Sequence, residues 1–324
     1  MKAAILGTGL HLPQRKLTNK DLEKMVNTSD EWITTRSGIK ERRIVSEKET
    51  LSFLSTEASK KALEMAQIDA SELDLIIVAT FTADFRLPSA ATLVQNELKA
   101  YNAAAFDIAA ACTGFIYGLV IAEKFVKDDP KIKALVIGAE VLSSVTNWKD
   151  RTTCVLFGDG AGAAVVSGAK GRGILASYIK SDSRVWDLLC VLGGGSLYPP
   201  FKDKVPKEEY YVKMKGNEVF KYSVRYMEEA ARVVLDKAGM SPADIDWLIP
   251  HQANIRIMKM IAKKLGIPEE KVFINIDKYG NTSAATIPIA LDEAVRQGAI
   301  KSGDLILLDA FGGGFTYGAV LLRW

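Results

Sequence analysis

An α/β fold built from two similar halves is the class this sequence predicts, and three observations predict it. Apolar strand-like runs alternate with helical patterns through the whole chain, which argues for sheets covered by helices. Units of the first half recur in the second in the same order. Between them lies Ser167-Gly168-Ala169-Lys170-Gly171-Arg172-Gly173, a glycine-rich break. The expected division is therefore residues 1–170 and 171–324.

The elements follow in order. Ala3 to Gly7 reads as a strand, and Thr18 to Trp32 as a helix opened by capping-type residues. If that helix continues, Thr28, Trp32 and Arg36 fall on one face. A Trp beside an Arg suits stacking on a flat base and pairing with a phosphate, although a surface Trp near a cation is the ordinary account. Ser52 to Ala66 is helical and Leu73 to Ala79 a dense apolar strand. The unit Ala66 to Ile77 is matched by Ala238 to Ile249, each a helix end, a turn and a strand. Phe106-Asp107-Ile108 is matched by Ile274-Asn275-Ile276, and Ala134 to Ile137 by Asp304 to Leu307. Residues 182–210 fit this scheme poorly, with Gly193-Gly194-Gly195, Pro199-Pro200 and a charged run, and read as an insertion or lid-like loop.

Composition narrows the function. With 324 residues and 48% hydrophobic content the chain can bury a large core. A net charge of +3 gives no reason to expect nucleic-acid binding. The three cysteines, Cys112, Cys154 and Cys190, share no metal-binding spacing, and an odd count suits a reducing interior. No apolar run approaches the ~20 residues of a membrane span, and the first residues do not form a secretory leader. The expectation is a soluble cytoplasmic protein.

Three residues carry the chemistry. Cys112 stands in Ala109-Ala110-Ala111-Cys112-Thr113-Gly114-Phe115, a strand running through a small-residue turn into an apolar helix from about Cys112 to Val126. Free N–H groups and the helix dipole at such a turn favour a thiolate, lowering a thiol pKa by roughly one to several units. Packing of a small side chain in a crowded core is the other account of that cysteine. His251, one of two histidines, follows the strand Asp246 to Ile249, at the strand edge where α/β folds place functional groups. If the halves meet about a pseudo-twofold axis, the Cys112 turn is mirrored by Tyr279-Gly280-Asn281-Thr282-Ser283, and Asn281 faces Cys112 across a cleft. Glycines in Phe311-Gly312-Gly313-Gly314-Phe315 let a backbone N–H come close to a ligand, so Cys112 and Gly313 N–H groups could together form an oxyanion hole.

Taken jointly, the sequence resembles the β-ketoacyl-acyl carrier protein synthase III family of the thiolase-fold superfamily. The resemblance rests on Thr28-Ser29-Asp30-Glu31-Trp32, Ala110 to Phe115, Phe157-Gly158-Asp159-Gly160-Ala161-Gly162, His251-Gln252-Ala253-Asn254, Gly280 to Ala285 and Phe311 to Phe315, in the family's order. It implies a thiolase-like fold in α-β-α-β-α layers, and a catalytic set of Cys112, His251 and Asn281, with Gly313 completing the oxyanion hole. It also implies a coenzyme A entrance at Thr28, Trp32, Arg36 and Arg151, and an acyl pocket with Phe157 and Leu87, where the family often has Phe at 87. A homodimer and no metal or cofactor are expected, coenzyme A thioesters being substrates. The implied reaction joins an acyl-CoA starter, acetyl-CoA by expectation, to malonyl-acyl carrier protein with loss of CO2, and starts fatty acid synthesis. Arg256, Lys259 and Lys263 share a helix face, with Lys264 beside them and Lys221 at the rim. The resemblance makes Lys221, Arg256, Lys263 and Lys264 a dock for an acidic carrier protein.

Two other classes stay in view. Gly7-x-Gly9 and Gly158-x-Gly160-x-Gly162 do not complete a dinucleotide fingerprint in a βαβ setting. A related condensing enzyme with another starter, or a non-enzymatic acyl-binding scaffold, is the alternative reading.

Overall fold

A computed structural model describes residues 1–201 and 204–324, so two residues of the expected charged run, Lys202 and Asp203, lie outside the described residues. In the first half β1 (Lys2–His11), β2 (Lys16–Thr18), α1 (Asn19–Glu23), α2 (Asp30–Ser37), β3 (Glu41–Arg43) and α3 (Leu51–Ala66) lead to β4 (Leu75–Ala79). Then come α4 (Ala90–Leu98), β5 (Ala104–Ile108), α5 (Gly114–Asp128), β6 (Ala134–Val141) and β7 (Asp159–Ala169). The second half runs through β8 (Gly173–Ser181), β9 (Leu189–Cys190), β10 (Lys213–Met214), α6 (Gly216–Ala238), β11 (Trp247–Pro250) and α7 (Ile255–Leu265). It closes with α8 (Ile276–Tyr279), α9 (Thr286–Arg296), β12 (Leu305–Gly312) and β13 (Thr316–Arg323).

The repeat is visible in the sheets. The first has the order β1-β7-β6-β4-β5, the second β8-β13-β12-β11, and Val272, bridged to Leu248, stands where β5 has its counterpart. Strand alternation then builds the layers. Leu75 and Ile77 of β4 and Ile306, Leu308 and Ala310 of β12 face α5 and α9, which lie between the sheets. Ile76 and Val78 face α3 and α4 on one outside, and Leu305 and Leu307 face α6 and α7 on the other. The result is the α-β-α-β-α arrangement.

At the centre the two halves present the same corner. A 3-10 turn over Ala111–Thr113 leads into α5, and another over Ser283–Ala285 leads into α9. Each begins with a non-glycine residue in the left-handed region, Ala111 at φ 46° and Ser283 at φ 50°, a conformation that costs on the order of 1 kcal/mol or more. The second residue of the first turn is Cys112 and that of the second is Ala284. The corners touch: a Cβ on Gly114 would sit 3.4 Å from the Ala284 Cβ.

Three sequence expectations change. Thr18 to Trp32 is two short helices, because Thr18 and Ser29 each cap a start and Glu23 accepts the Asp30 N–H at 2.7 Å. Thr28 therefore lies outside the helix that bears Trp32 and Arg36, and the three share no helix face. Ile274 to Ile276 is not a strand. Gln252 Oε1 takes the Asn275 N–H, the Asn275 amide donates to Glu293, and α8 begins at once.

Candidate active site

One cavity of about 1100 Å³ brings Cys112, His251, Asn281 and Gly313 together. Cys112 sits on the first corner. Thr113 Oγ1 donates within this turn to Ala110 O (2.6 Å), and lies 2.6 Å from Thr316 Oγ1, which is itself 3.3 Å from Gly313 O. These hydroxyls fix the end of β12 against the Cys112 turn. Only glycine fits there: a Cβ on Gly312 would lie 2.7 Å from Cys112 N.

His251 extends β11, its N–H donating to Asp309 O at 2.8 Å. The residues after it hold the corner. Gln252 donates to Pro250 O and Phe273 O, and Asn254 caps α7 through the Arg256 N–H while donating to Arg36 O at 3.0 Å. Asn281 is clamped to the first half by its N–H on Leu156 O (2.9 Å) and its carbonyl under Gly158 N–H (3.0 Å). Gly280, at φ 66°, allows that approach, since a Cβ would meet Leu156 O at 2.9 Å.

Hydrogen bonds set the side chains. Ser283 N–H donates to Asn281 Oδ1 at 2.8 Å, so the Asn281 NH2 group is the end left for the cavity. His251 Nδ1 lies 2.6 Å from Thr286 Oγ1, and Thr286 Oγ1 lies 3.0 Å from Ser283 O. Two hydrogen placements satisfy this geometry. With the Thr286 hydrogen on Ser283 O, Nδ1–H donates to Thr286 and Nε2 is bare; with it turned to Nδ1, the ring hydrogen is on Nε2. Ser283 thus holds Asn281 by its N–H and Thr286 by its carbonyl, and its side chain lines the cavity with Cys112.

Burial dominates the electrostatics. It pushes His251 down to about 3, so the ring is neutral near pH 7. It also pushes the Cys112 thiol up to about 12, with the Ser283 hydroxyl acting in the opposite direction and the nearby Glu140 charge adding to the rise. This reverses the sequence expectation of a resting thiolate: desolvation of the sulfur outweighs the turn's N–H groups. Cys154 is fully buried beside Arg42 and burial raises its pKa to about 11, whereas Cys190 lines the same cavity as Cys112.

The cavity mouth and rim hold the remaining candidates. Trp32, Arg36, Arg151 and Thr152 line the mouth. The Arg151 guanidinium covers the Trp32 ring at 4.6 Å and donates to Asn27 O at 2.8 Å, while Arg36 is 5.9 Å from the ring centre. A flat base on that face displaces or flanks Arg151. Thr28 does not line the cavity, and its hydroxyl is buried without a partner among the described residues. Phe157 is buried in the wall with Leu142 and Val212. Leu87 is 87% exposed, away from its own chain's cavity. Leu189, Cys190 and Val191 line the cavity, so the expected insertion supplies a wall as well as loop.

Arg256 and Lys221 stand at the mouth, and Arg256, Lys259, Met260 and Lys263 line a shallow depression beside it. Lys264 departs from this group, because it turns to α6 and pairs with Glu228 at 2.7 Å. Lys221 pairs with Glu218 at 3.2 Å and Lys259 with Glu269 at 2.8 Å. Sequence reading missed Glu140, Ser283 and Thr286. A lone carboxylate ending the apolar run Ala134 to Ala139 was the available signal for the first.

Two family models match the chain: 3-oxoacyl-[acyl-carrier-protein (ACP)] synthase III over residues 106–183, and its C-terminal counterpart over residues 235–324. A beta-ketoacyl-[acyl-carrier-protein] synthase III from Caldanaerobacter subterraneus subsp. tengcongensis is 55% identical, the match covering 99% of this chain and 98% of that one. The crystal structure of 3-oxoacyl-[acyl-carrier-protein] synthase III from Aquifex aeolicus VF5 is 54% identical, with a TM-score of 0.93 and coverage of 99% and 100%. The corresponding enzyme from Thermus thermophilus is 42% identical, with a TM-score of 0.92 and 99% of each chain covered.

Proposed function

We infer the chemistry of this site from one premise: the chain belongs to the β-ketoacyl-[acyl-carrier-protein] synthase III family. It is an acyltransferase that condenses an acyl-CoA starter with malonyl-acyl carrier protein, giving a 3-ketoacyl-acyl carrier protein, CO2 and CoA, the first condensation of fatty acid synthesis. Acetyl-CoA is the proposed starter. The observation that carries the mechanism is the convergence of a half-buried thiol, a neutral imidazole and an inward-facing amide on one cavity.

With its pKa at about 12, only roughly one thiol in 10⁵ is ionised at pH 7, so proton loss is coupled to attack. In the placement that leaves Nε2 bare, His251 takes the Cys112 proton as sulfur bonds to the starter carbonyl carbon. The Cys112 and Gly313 N–H groups receive the carbonyl oxygen's charge. The tetrahedral adduct then expels the CoA sulfur, which recovers the proton from Nε2, leaving acyl-Cys112. Water in the open cavity exchanges the two imidazole forms. With the hydrogen on Nε2, His251 and the Asn281 NH2 hold the enolate oxygen formed when the malonyl carboxylate leaves as CO2. The enolate carbon attacks the acyl-Cys112 carbonyl, the C–S bond breaks, and the Cys112 thiolate released takes a proton from water.

Trp32, Arg36 and Arg151 are proposed to receive the nucleotide end of CoA, and Arg256 and Lys263 the acidic carrier protein. Neither Arg256 nor Lys263 is in an ion pair among the described residues, which supports the second assignment. Exposed Leu87 and Phe85 support a second copy as their cover, so the active form is proposed as a homodimer in the cytoplasm. No described helix is long and apolar enough to cross a membrane.

Intact-mass measurement after incubation with acyl-CoAs of several lengths tests the reading. An acyl adduct is expected on Cys112, largest with acetyl-CoA and absent in Cys112→Ser. An adduct on Cys154 or Cys190, or none with any acyl-CoA, overturns it.

A further inference from the structure

Behind the nucleophile lies a carboxyl group that the mechanism above does not use. Glu140 ends the apolar part of β6 with no exposed surface, and its two oxygens have unequal surroundings. Oε2 accepts from Thr80 Oγ1 at 3.1 Å, from Phe81 N–H at 3.4 Å and from Thr82 Oγ1. The hydroxyl hydrogens of both threonines are committed to it, because Thr82 Oγ1 accepts from Val141 N–H (2.9 Å) and Thr80 Oγ1 from Thr82 N–H (3.1 Å). Oε1 has one hydrogen-bond partner among the described residues, Ser283 Oγ, at 3.3 Å. Ser283 and Cys112 line the same cavity from the two touching corners, and the Ser283 hydroxyl acts to lower the thiol's pKa.

We propose that Glu140 and Ser283 are a positioning pair for Cys112, in which protonated Glu140 donates from Oε1 to Ser283 Oγ and leaves the Ser283 hydroxyl hydrogen for the sulfur. Counting donors supports this. Three of them crowd Oε2, so a carboxyl proton goes on Oε1, and Ser283 then has only the sulfur to donate to. Burial raises the carboxyl to about 8, which keeps it protonated near neutrality. Once Glu140 ionises, its charge recaptures the Ser283 hydrogen and opposes a thiolate. The ionisable groups on neighbouring elements are Cys112, His251 beyond Ser283 and Thr286, and Asp159 of β7, whose carboxylate is engaged by Val45 N–H and Ser143. The pair tunes the sulfur from one side while His251 removes its proton on the other.

This deepens the reading of Cys112 as nucleophile, and its test needs neither CoA nor carrier protein. The second-order rate of Cys112 alkylation by iodoacetamide is measured from pH 6 to 10, site by site by peptide mass, with melting temperatures checked. Ser283→Ala keeps the Cβ and the backbone turn but removes the hydroxyl, and alkylation at pH 7 is expected to fall ~10-fold, the worth of one hydrogen bond to a charged group. Glu140→Gln can place its carbonyl among the three donors and its NH2 on Ser283, a permanent copy of the neutral acid. The ratio of its alkylation rate to wild type is expected to climb several-fold between pH 7 and pH 9.5. A purely structural role moves the rate equally at every pH. Wild-type alkylation at pH 7 in Ser283→Ala, or a ratio for Glu140→Gln that stays flat with pH, overturns the proposal. If Glu140→Gln fails to fold, Ser283→Ala decides alone. Failure of the nucleophile reading shows separately, as the missing acyl adduct.

Discussion

Replacing Asn281 by Asp tests whether the amide acts as a donor, because it changes one NH2 into an oxygen with little change of shape. Ser283 N–H holds the Asn281 oxygen at 2.8 Å, so in Asn281→Asp one carboxylate oxygen inherits that bond and the other faces the cavity. The donor to the enolate is then gone, which alone costs ~10²–10³ in rate. A negative oxygen has also taken its place. At about 4 Å from the enolate oxygen and an effective dielectric of about 20, two like charges add on the order of 4 kcal/mol. Decarboxylation is therefore expected to fall by ~10²–10³ in Asn281→Ala and by up to ~10⁶ in Asn281→Asp. Acylation of Cys112, which asks nothing of this amide, should stay within several-fold of wild type in both. Labelled CO2 release from malonyl-carrier protein reads the first quantity, and the rate of adduct formation by mass reads the second. Asn281→Asp decarboxylating as fast as Asn281→Ala refutes the amide orientation, and equal loss of acylation refutes the division of labour.

Three other variants probe the frame. Gly312→Ala puts a methyl 2.7 Å from Cys112 N; the Cys112 turn must shift, and kcat for acylation is expected to drop at least 10-fold together with a loss of about 1–3 kcal/mol of stability. Arg42, fully buried, donates to Leu17 O, Asn19 Oδ1 and Val155 O, and Asn19 in turn ties Asp30 and Ile39 O. Arg42→Met leaves three acceptors bare, so a loss of about 3 kcal/mol and a higher KM for acyl-CoA are expected from thermal melts and acylation kinetics; an unchanged melting temperature would contradict the network's importance. Asp309 is buried, its carboxyl has no hydrogen-bond partner among the described residues, and its pKa is raised well above 3.8. The unfolded chain loses this proton first as pH rises, so the wild type should lose stability relative to Asp309→Asn by about 1.4 kcal/mol per pH unit above ~4 while the folded carboxyl stays protonated. Denaturant melts at pH 5 and pH 8 measure it, and parallel pH curves for the two proteins would show that Asp309 ionises freely.

How far the chain could be read from sequence depended on whether a feature is local. The paired units were legible because helix end, turn and strand are written in consecutive residues, and the facing of Cys112 and Asn281 followed from placing two such units about an axis, while His251 joined them through its strand end and the family resemblance. The break between α1 and α2 was misjudged although Ser29 is a readable cap, since the Glu23 bond that closes it is a matter of tertiary contact. Ile274 to Ile276 carries strand-like residues, yet Asn275 is claimed by Gln252 and Glu293 from other elements, and propensity yields to those bonds. The state of the Cys112 thiol was out of reach for a different reason. Helix position can be inferred from a turn sequence, but desolvation depends on walls contributed by both halves and by residues 189–191. Lys264 likewise shares a helix with Arg256 and Lys263, and only the approach of Glu228 from α6 separates it from them.

The two left-handed corners have a consequence for how such a site can arise. A strictly twofold centre would present two identical groups to one substrate, each in the other's place, and could not acylate with one while steering an enolate with the other. Specialisation requires the dyad to be broken at the axis itself. Here the break is small: sulfur at Cys112 against the bare methyl of Ala284, which is 1% exposed. The two corners share one backbone turn and differ in the side chains they carry. In the proposed mechanism one corner carries the nucleophile, and the other holds the Asn281 amide and the hydroxyls of Ser283 and Thr286.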